Sequence, residues 1–228
     1  MRKILILCGR TLRKLDLSRT HITGETLSEG DGVFLTFMEE LNIAYCYKLT
    51  DTGLSSILNV CGKNLKKLDV SRTKITGENL TDVNGIYLVC LKELDLERCA
   101  KLTDVGLKQI LQLCRRALKS LNISETQITG ETLAEGNEDC LSCLEELNLE
   151  GCSKFTDTEF LRTLQLCGKT LKSLNISCSN LTGEKLTEYN GTLPCIEHIN
   201  LSYCSQFTDI GLIQLLQLPE KKLKSLEI

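Results

Sequence analysis

Large apolar residues recur along the chain in the pattern Leu-x-x-Leu-x-Leu, with Ile, Val or Met in place of Leu in some copies. Nine copies begin at Leu12, Met38, Leu65, Leu91, Leu118, Leu144, Leu171, Ile196 and Leu223. Their spacing alternates around 26 and 27 residues, so the larger repeating unit is a pair of 53. The alternating apolar positions at the end of each copy predict a short strand with two inward side chains.

Two kinds of unit follow these strands in turn. The kind represented by 43–51 ends in Thr50 and Asp51, after which apolar residues continue at helical spacing as far as Gly62. Thr and Asp are typical of a helix start and Gly of a helix end, which predicts a helix there. The kind represented by 17–25 leads instead into a polar, Gly-bearing segment, which predicts a short helical turn or loop.

A strand and an outer segment repeated in this way cannot bury their apolar face alone, so the units must stack. The pattern predicts an α/β fold, a right-handed solenoid of horseshoe shape. A concave parallel sheet lines its inner face, and convex helices alternate with short helical turns and loops. Right-handedness follows from the preference of strand–helix–strand crossovers. We expect one domain over residues 1–228, with eight repeats of about 26 residues plus partial terminal repeats. We also expect a monomer, and a segment of a longer protein, because neither end has a polar capping sequence.

Eleven of the thirteen cysteines recur at intervals of 52 or 53 residues. The three series are Cys8, Cys61, Cys114 and Cys167; Cys46, Cys99, Cys152 and Cys204; and Cys90, Cys143 and Cys195. Equal spacing places each series at one recurring position, where reduced cysteine acts as a small buried hydrophobe. We therefore expect a reducing compartment, the cytoplasm, with the nucleus as a second option. Cys140 and Cys143 form a lone C-x-x-C, and a zinc ribbon requires a second pair, so no metal is predicted.

Composition and charge narrow the possible functions. The chain is 42% hydrophobic but only 4% aromatic, so leucine supplies most of the core. A net charge of −3 gives no reason to expect nucleic acid, and no apolar run is long enough to span a membrane. The two histidines, His21 and His198, lie in distant repeats, and no nucleophile or phosphate-loop motif is present. We expect neither an enzyme nor a bound cofactor.

The motif Cys-x-x-Leu/Phe-Thr-Asp occurs at 46–51, 99–104, 152–157 and 204–209. It resembles the cysteine-containing class of the leucine-rich-repeat superfamily, which is common in F-box adaptor proteins of ubiquitin ligases. The resemblance implies substrate recognition for a Skp–cullin–F-box ligase, although the F-box itself is absent from these residues. One alternative is a cytosolic scaffold or regulatory repeat protein without a ubiquitin link. The other is a secreted or cell-surface receptor ectodomain, for which Asn180 and Asn190 would be glycosylation sites.

Asp or Asn occupies the last strand position of eight consecutive repeats, facing the predicted concave surface. The column is Asp16, Asn42, Asp69, Asp95, Asn122, Asn148, Asn175 and Asn200. It could bind a ligand or a cation, but a calcium site needs six to eight oxygens that converge on one point. We therefore favour a structural role, with hydrogen bonds between neighbouring strands.

The position three residues beyond each strand varies in residue type from repeat to repeat, and this irregular column points to a protein contact. The column is Arg19, Tyr45, Arg72, Arg98, Glu125, Gly151, Cys178 and Tyr203. Arg and Tyr are residue types that anchor protein interfaces, and the column is basic and aromatic at one end and acidic further on. The candidate partner-binding residues on the concave face are Lys14, Arg19, Tyr45, Lys67, Arg72, Arg98, Glu125, Glu146, Glu150 and Tyr203. We expect a protein ligand there, with an acidic stretch that meets the arginine-rich end.

Overall fold

The computed structural model describes residues 11–25, 35–78, 80, 88–133 and 138–228. Nine parallel strands form one sheet in strict chain order. They are β1 (Lys14–Asp16), β2 (Glu40–Asn42), β3 (Lys67–Asp69), β4 (Glu93–Asp95), β5 (Ser120–Asn122), β6 (Glu146–Asn148), β7 (Ser173–Asn175), β8 (His198–Asn200) and β9 (Ser225–Glu227). Each strand corresponds to one copy of the leucine pattern.

The register of the sheet follows directly from the leucine pattern. The middle residue of each strand pairs with the middle residue of the next, as Leu41 does with Leu68 and Leu68 with Leu94. These middle residues are 3% exposed or less from β2 to β8, so they form a continuous apolar row inside the stack. The flanking residues of each strand face the other side of the sheet, toward the concave surface.

The outer layer alternates as the sequence predicts. The helices are α1 (Asp51–Cys61), α2 (Asp104–Cys114), α3 (Glu138–Leu141), α4 (Asp157–Cys167) and α5 (Asp209–Gln217). One of the intervening units contains only a 3₁₀ helix at Glu184–Glu188, a short turn of the predicted kind. The polar segments 26–34, 81–87 and 134–137 lie outside the described residues. The architecture is the right-handed leucine-rich-repeat horseshoe, with an α/β composition.

Both ends of α1 lie where the sequence predicts them. The hydroxyl of Thr50 accepts a hydrogen bond from the backbone N–H of Gly53 at 3.0 Å, so Thr50 is the expected cap. Gly62 directly follows the last helical residue, as expected, and has a right-handed φ of −65°. The chain then tightens into a 3₁₀ turn at Gly62–Asn64, which needs no glycine-specific backbone.

Two of the three cysteine series supply core residues, although Cys204 at the end of one of them is only half-buried. The expectation of burial is wrong for the third series, in which Cys90, Cys143 and Cys195 are all half-buried. The thiol of Cys46 donates a hydrogen bond to the backbone carbonyl of Leu17, and that of Cys99 donates one to Val70. Both acceptors belong to the preceding repeat, and both distances are 3.2 Å. Burial raises the pKa of the Cys99 thiol to about 11 and that of Cys61 to about 12. All twelve cysteines in the described part of the chain are free thiols, while Cys8 lies outside it.

Candidate protein-recognition surface

The Asp/Asn column closes the end of each strand. In every one of the eight repeats, the side-chain Oδ1 accepts a hydrogen bond from the backbone N–H two residues later. The distance is 2.8 Å at Asp16 and 3.1 Å at Asn122, which bound the range. One oxygen of each side chain therefore closes a local turn. The predicted bonding between neighbouring strands is present where the amide of Asn122 donates to Asp95 at 3.2 Å.

The irregular column beyond the strands has one shared backbone conformation. Its φ angle is positive in all eight repeats, between 53° at Arg98 and 65° at Gly151. In the seven repeats from Arg19 to Cys178, the backbone N–H also donates to a carbonyl of the following repeat, as Arg19 does to Ala44 at 2.8 Å. Gly151 is the only member whose type favours the left-handed region, and it was the sequence signal for this conformation. The backbone therefore fixes where the side chains of this column start.

Consecutive side chains of this column contact one another. The guanidinium carbon of Arg19 lies 4.6 Å from the ring centre of Tyr45, and that of Arg72 lies 5.1 Å from the same ring. Both arginines are therefore within cation–π distance of one tyrosine. The structure brings together the predicted residues Arg19, Tyr45 and Arg72.

Carboxylates of neighbouring repeats already balance two of the three arginines. Arg72 donates to Glu97 at 2.5 Å, and the Nε of Arg98 donates to Glu125 at the same distance. The hydrogen bond from Arg98 to Glu125 is the main reason that the pKa of this guanidinium is raised. The predicted basic end and the first residue of the acidic end are thus partners of each other. Of the three arginines in the column, Arg19 alone has no ion pair with a carboxylate among the described residues.

The floor of the concave surface is acidic. A groove of about 600 Å³ runs across β1 to β5. Its two lysines, Lys14 and Lys67, are paired with Glu40 at 2.8 Å and with Glu93 at 2.7 Å. The five carboxylates that line it are Asp16, Glu40, Asp69, Glu93 and Asp95. Five carboxylates against two lysines give the groove a net negative charge. Burial, and to a smaller extent the neighbouring Asp69, raise the pKa of the Asp95 carboxyl.

The remaining predicted residues lie further along the stack and do not join this cluster. Glu146 accepts a hydrogen bond from the hydroxyl of Ser120 at 3.0 Å. Glu150 accepts one from the amide of Asn175 at 3.1 Å. Tyr203 follows β8 and is 86% exposed, the most exposed large hydrophobic side chain among the described residues. Both glutamates support neighbouring strands, and Tyr203 stands apart as a separate exposed ring.

A second depression, which sequence reasoning missed, lies beyond the ends of the first strands. We call it the rim cleft; it has a volume of about 480 Å³. Its lining is Arg19, Thr20, His21, Tyr45, Tyr47, Lys48 and Lys74. The rings of Tyr45 and Tyr47 meet edge to face, with centres 6.2 Å apart. Lys48 lies three residues after Tyr45 and Lys74 two residues after Arg72. Neither lysine belongs to the irregular column, so the pattern of that column does not indicate them.

The described residues bring together no cluster of metal-ligating side chains. Among the described residues, no group of three or more His, Cys, Asp or Glu side chains could hold a metal ion. His21 lines the rim cleft, whereas His198 begins β8, seven strands along the sheet. The two histidines therefore share no site.

Comparisons with known proteins agree with this architecture. A family model described as "Leucine Rich repeat" matches residues 10–28, 34–58 and 87–111. The chain is similar to F-box/LRR-repeat protein 4 of Bos taurus, at 27% identity over 74% of this chain and 28% of the relative. It is also similar to the DNA repair protein rhp7 of Schizosaccharomyces pombe, at 30% identity over 74% of this chain and 31% of the relative.

A solved structure shares the fold over nearly the whole chain. It is the crystal structure of the yeast Rad7 and Elc1 complex, with a TM-score of 0.57 and 21% identity over 99% of this chain and 65% of the matched chain. The chain spans about a third of the length of the two curated relatives. In the described ranges, no helix has the length and apolar character needed to cross a membrane.

Proposed function

Because this chain belongs to the leucine-rich-repeat superfamily, we propose that it is a protein-recognition module whose concave sheet binds a partner protein. We propose further that it is the substrate-recognition part of a ubiquitin-ligase adaptor of the Skp–cullin–F-box type, acting in the cytoplasm. In this proposal the chain binds and does not catalyse.

The observation that carries the proposal is the concave groove. Its walls are strand residues whose positions are set by a continuous ladder from β1 to β5, so the surface needs little ordering on binding. Its net negative charge suits a partner segment that presents cations or hydrogen-bond donors. An acidic segment, as expected from the arginine column, is not favoured on this floor, because both of its lysines are already paired.

The ubiquitin-ligase link is supported by two of the similar proteins. One similar protein is an F-box/LRR-repeat protein, and the similar solved fold is Rad7 in complex with Elc1. Free, buried thiols support an intracellular setting over a secreted receptor, since disulfides are common in secreted repeat domains.

The test is affinity capture from cytosolic extract, read by mass spectrometry, with the 228-residue chain as bait. The groove variant is Asp69→Asn with Asp95→Asn. Asn already fills the same column at Asn42 and Asn122, so the turn hydrogen bond is kept while two negative charges leave the groove. The control is Glu131→Gln with Glu184→Gln, two exposed carboxylates on the outer turns.

A partner that is lost with the groove variant and kept with the control supports recognition on the concave face. Co-captured ubiquitin-ligase subunits support the adaptor role, whereas a groove-dependent partner without them favours the scaffold alternative. Capture of the same proteins by both variants and by the unchanged chain would overturn concave-face binding.

A further inference from the structure

The rim cleft and the concave groove have opposite charge. The groove is lined by five carboxylates, whereas none of the described residues that line the cleft carries a carboxylate. Arg19, Lys48 and Lys74 all border the cleft, and none of them forms an ion pair with a carboxylate in the part of the chain that the structure describes. The protein as a whole carries a net charge of −3, so this concentration of unbalanced positive charge is local. It marks a site for an anion.

The walls of the cleft are held in place by the fold. The backbone N–H of Arg19 donates to Ala44, and that of Tyr45 donates to Ser71 at 2.9 Å. The hydroxyl of Thr20 donates to the carbonyl of Leu17 at 2.7 Å. The ring of Tyr45 touches the Arg19 guanidinium, which orients a side chain that would otherwise be free. Binding at this cleft therefore requires little loss of backbone freedom.

We propose that the rim cleft binds a phosphate monoester carried on a side chain of the partner protein. A phosphorylated side chain has nearly two negative charges and three strong acceptor oxygens, which matches three unpaired cations in one cleft. A single carboxylate would satisfy only one of them, as Glu97 and Glu125 do with Arg72 and Arg98. That the phosphate is carried by a protein rests on the proposed function, whereas the phosphate site itself does not.

Single-stranded nucleic acid is the competing class of ligand, and the geometry disfavours it. Base binding relies on free aromatic faces on which successive bases stack. The ring of Tyr45 already contacts the guanidinium groups of Arg19 and Arg72, and its neighbour Tyr47 meets it edge to face. Beyond the cleft, the adjoining groove is acidic and would repel a phosphate backbone.

The experiment is isothermal titration calorimetry with the full chain. The probes are a short phosphoserine peptide flanked by glycines, the matching phosphotyrosine and unphosphorylated serine peptides, inorganic phosphate and an oligothymidylate. The cleft variant is Lys48→Gln with Lys74→Gln, two exposed lysines whose removal breaks no ion pair among the described residues. The control is Lys154→Gln with Lys169→Gln, two lysines that are also exposed. Lys154 occupies the position equivalent to Lys48, two of the 53-residue units further along the chain.

We expect a phosphopeptide to bind, the serine peptide not to bind, and the cleft variant to weaken phosphopeptide affinity about tenfold or more. The control should bind as the unchanged chain does. Preference for phosphoserine or for phosphotyrosine supports the site either way and identifies the carrier. Absence of phosphopeptide binding, equal affinity for inorganic phosphate, tighter binding of oligothymidylate, or equal weakening in the control would each overturn the proposal.

This result is separable from the test of the proposed function. If the phosphopeptide fails to bind while Asp69→Asn with Asp95→Asn still loses a captured partner, only the phosphate site is overturned. If the phosphopeptide binds through Lys48 and Lys74 while no partner depends on the groove, the phosphate site stands and concave-face recognition fails.

Discussion

The carboxylate of Asp51 accepts a hydrogen bond from the hydroxyl of Thr76 at 2.8 Å, across 25 residues of chain. It also accepts the backbone N–H groups of Thr76 at 3.0 Å and of Gly77 at 2.9 Å. Asp104 and Asp157 make the same contacts with the Thr-Gly pairs that follow them. The first residue of each of these helices thus joins its own repeat to the next one.

Removing this carboxylate should weaken the joint between repeats. We expect Asp51→Ala to lower the free energy of unfolding by about 1–3 kcal/mol, because three donors lose their acceptor. Asp209→Ala is the matched control: Asp209 begins α5 in the same position but is exposed. Both substitutions remove the favourable effect of an acid at a helix start, about 0.3–1 kcal/mol. Urea denaturation that shows equal losses for the two variants would contradict the role of the inter-repeat contact.

The contact of α1 with the preceding repeat leaves no room for a side chain at Gly53. A Cβ there would lie 1.8 Å from the backbone carbonyl oxygen of Thr23, well inside any van der Waals contact. Gly53→Ala should therefore destabilise the fold by about 1–3 kcal/mol, since the backbone of one repeat must move away from the other. Thr52→Ala, at the exposed neighbouring position, should change stability by less than about 0.5 kcal/mol. Thermal unfolding of both variants measures the difference.

The strands and helices could be predicted because they depend on a period. Each strand has a large apolar residue at its centre, and from β2 to β8 this residue is buried, as Leu68 is. Thr50 could be assigned as a helix cap for the same local reason. Asp51 was read as part of the cap, but its partners Thr76 and Gly77 belong to the next repeat, and their contact becomes apparent only once the stacking geometry is known.

The candidate surface was harder to predict, because charge pairing there depends on neighbours about 26 residues away. Arg72 and Arg98 have the residue types of an interface anchor, yet each is engaged with a glutamate of an adjacent repeat. The left-handed backbone of their column could not be predicted from the residue types, since Gly151 is the one member that favours a positive φ. Lys48 became notable only when the structure placed it beside Arg19 in one cleft.

The buried thiols predict a specific loss of stability at alkaline pH. Burial raises the pKa of Cys61 and of Cys167 from the ordinary value of 9.0 to about 12. Below pH 9 both states hold the thiol proton, so the thiols leave stability unchanged. As pH rises above 9, the unfolded chain loses these protons and the folded chain keeps them, so unfolding is favoured. Each such thiol should remove about 1.4 kcal/mol per pH unit until its folded pKa is reached.

The measurement is urea unfolding under reducing conditions from about pH 8 to about pH 10. Cys61→Ala should make the decline less steep, whatever its effect on stability at neutral pH. Cys178→Ser is the control, because Cys178 is exposed and its removal should leave the slope unchanged. Identical slopes for Cys61→Ala and the unchanged chain would show that this thiol does not contribute.

The Arg98–Glu125 pair predicts how charge reversal in the irregular column will behave. Arg98→Glu places a carboxylate beside Glu125 and within reach of Glu97, where Arg98 now lies 2.5 Å and 3.8 Å from their oxygens. We expect the free energy of unfolding to fall, because repulsion between carboxylates replaces an attraction. Arg98→Glu combined with Glu125→Arg should recover most of that loss. It should also restore the dependence of the free energy of unfolding on salt concentration. Unfolding of the single and double variants at low and high salt gives the coupling energy; a coupling near zero would mean that the pair only coincides in space.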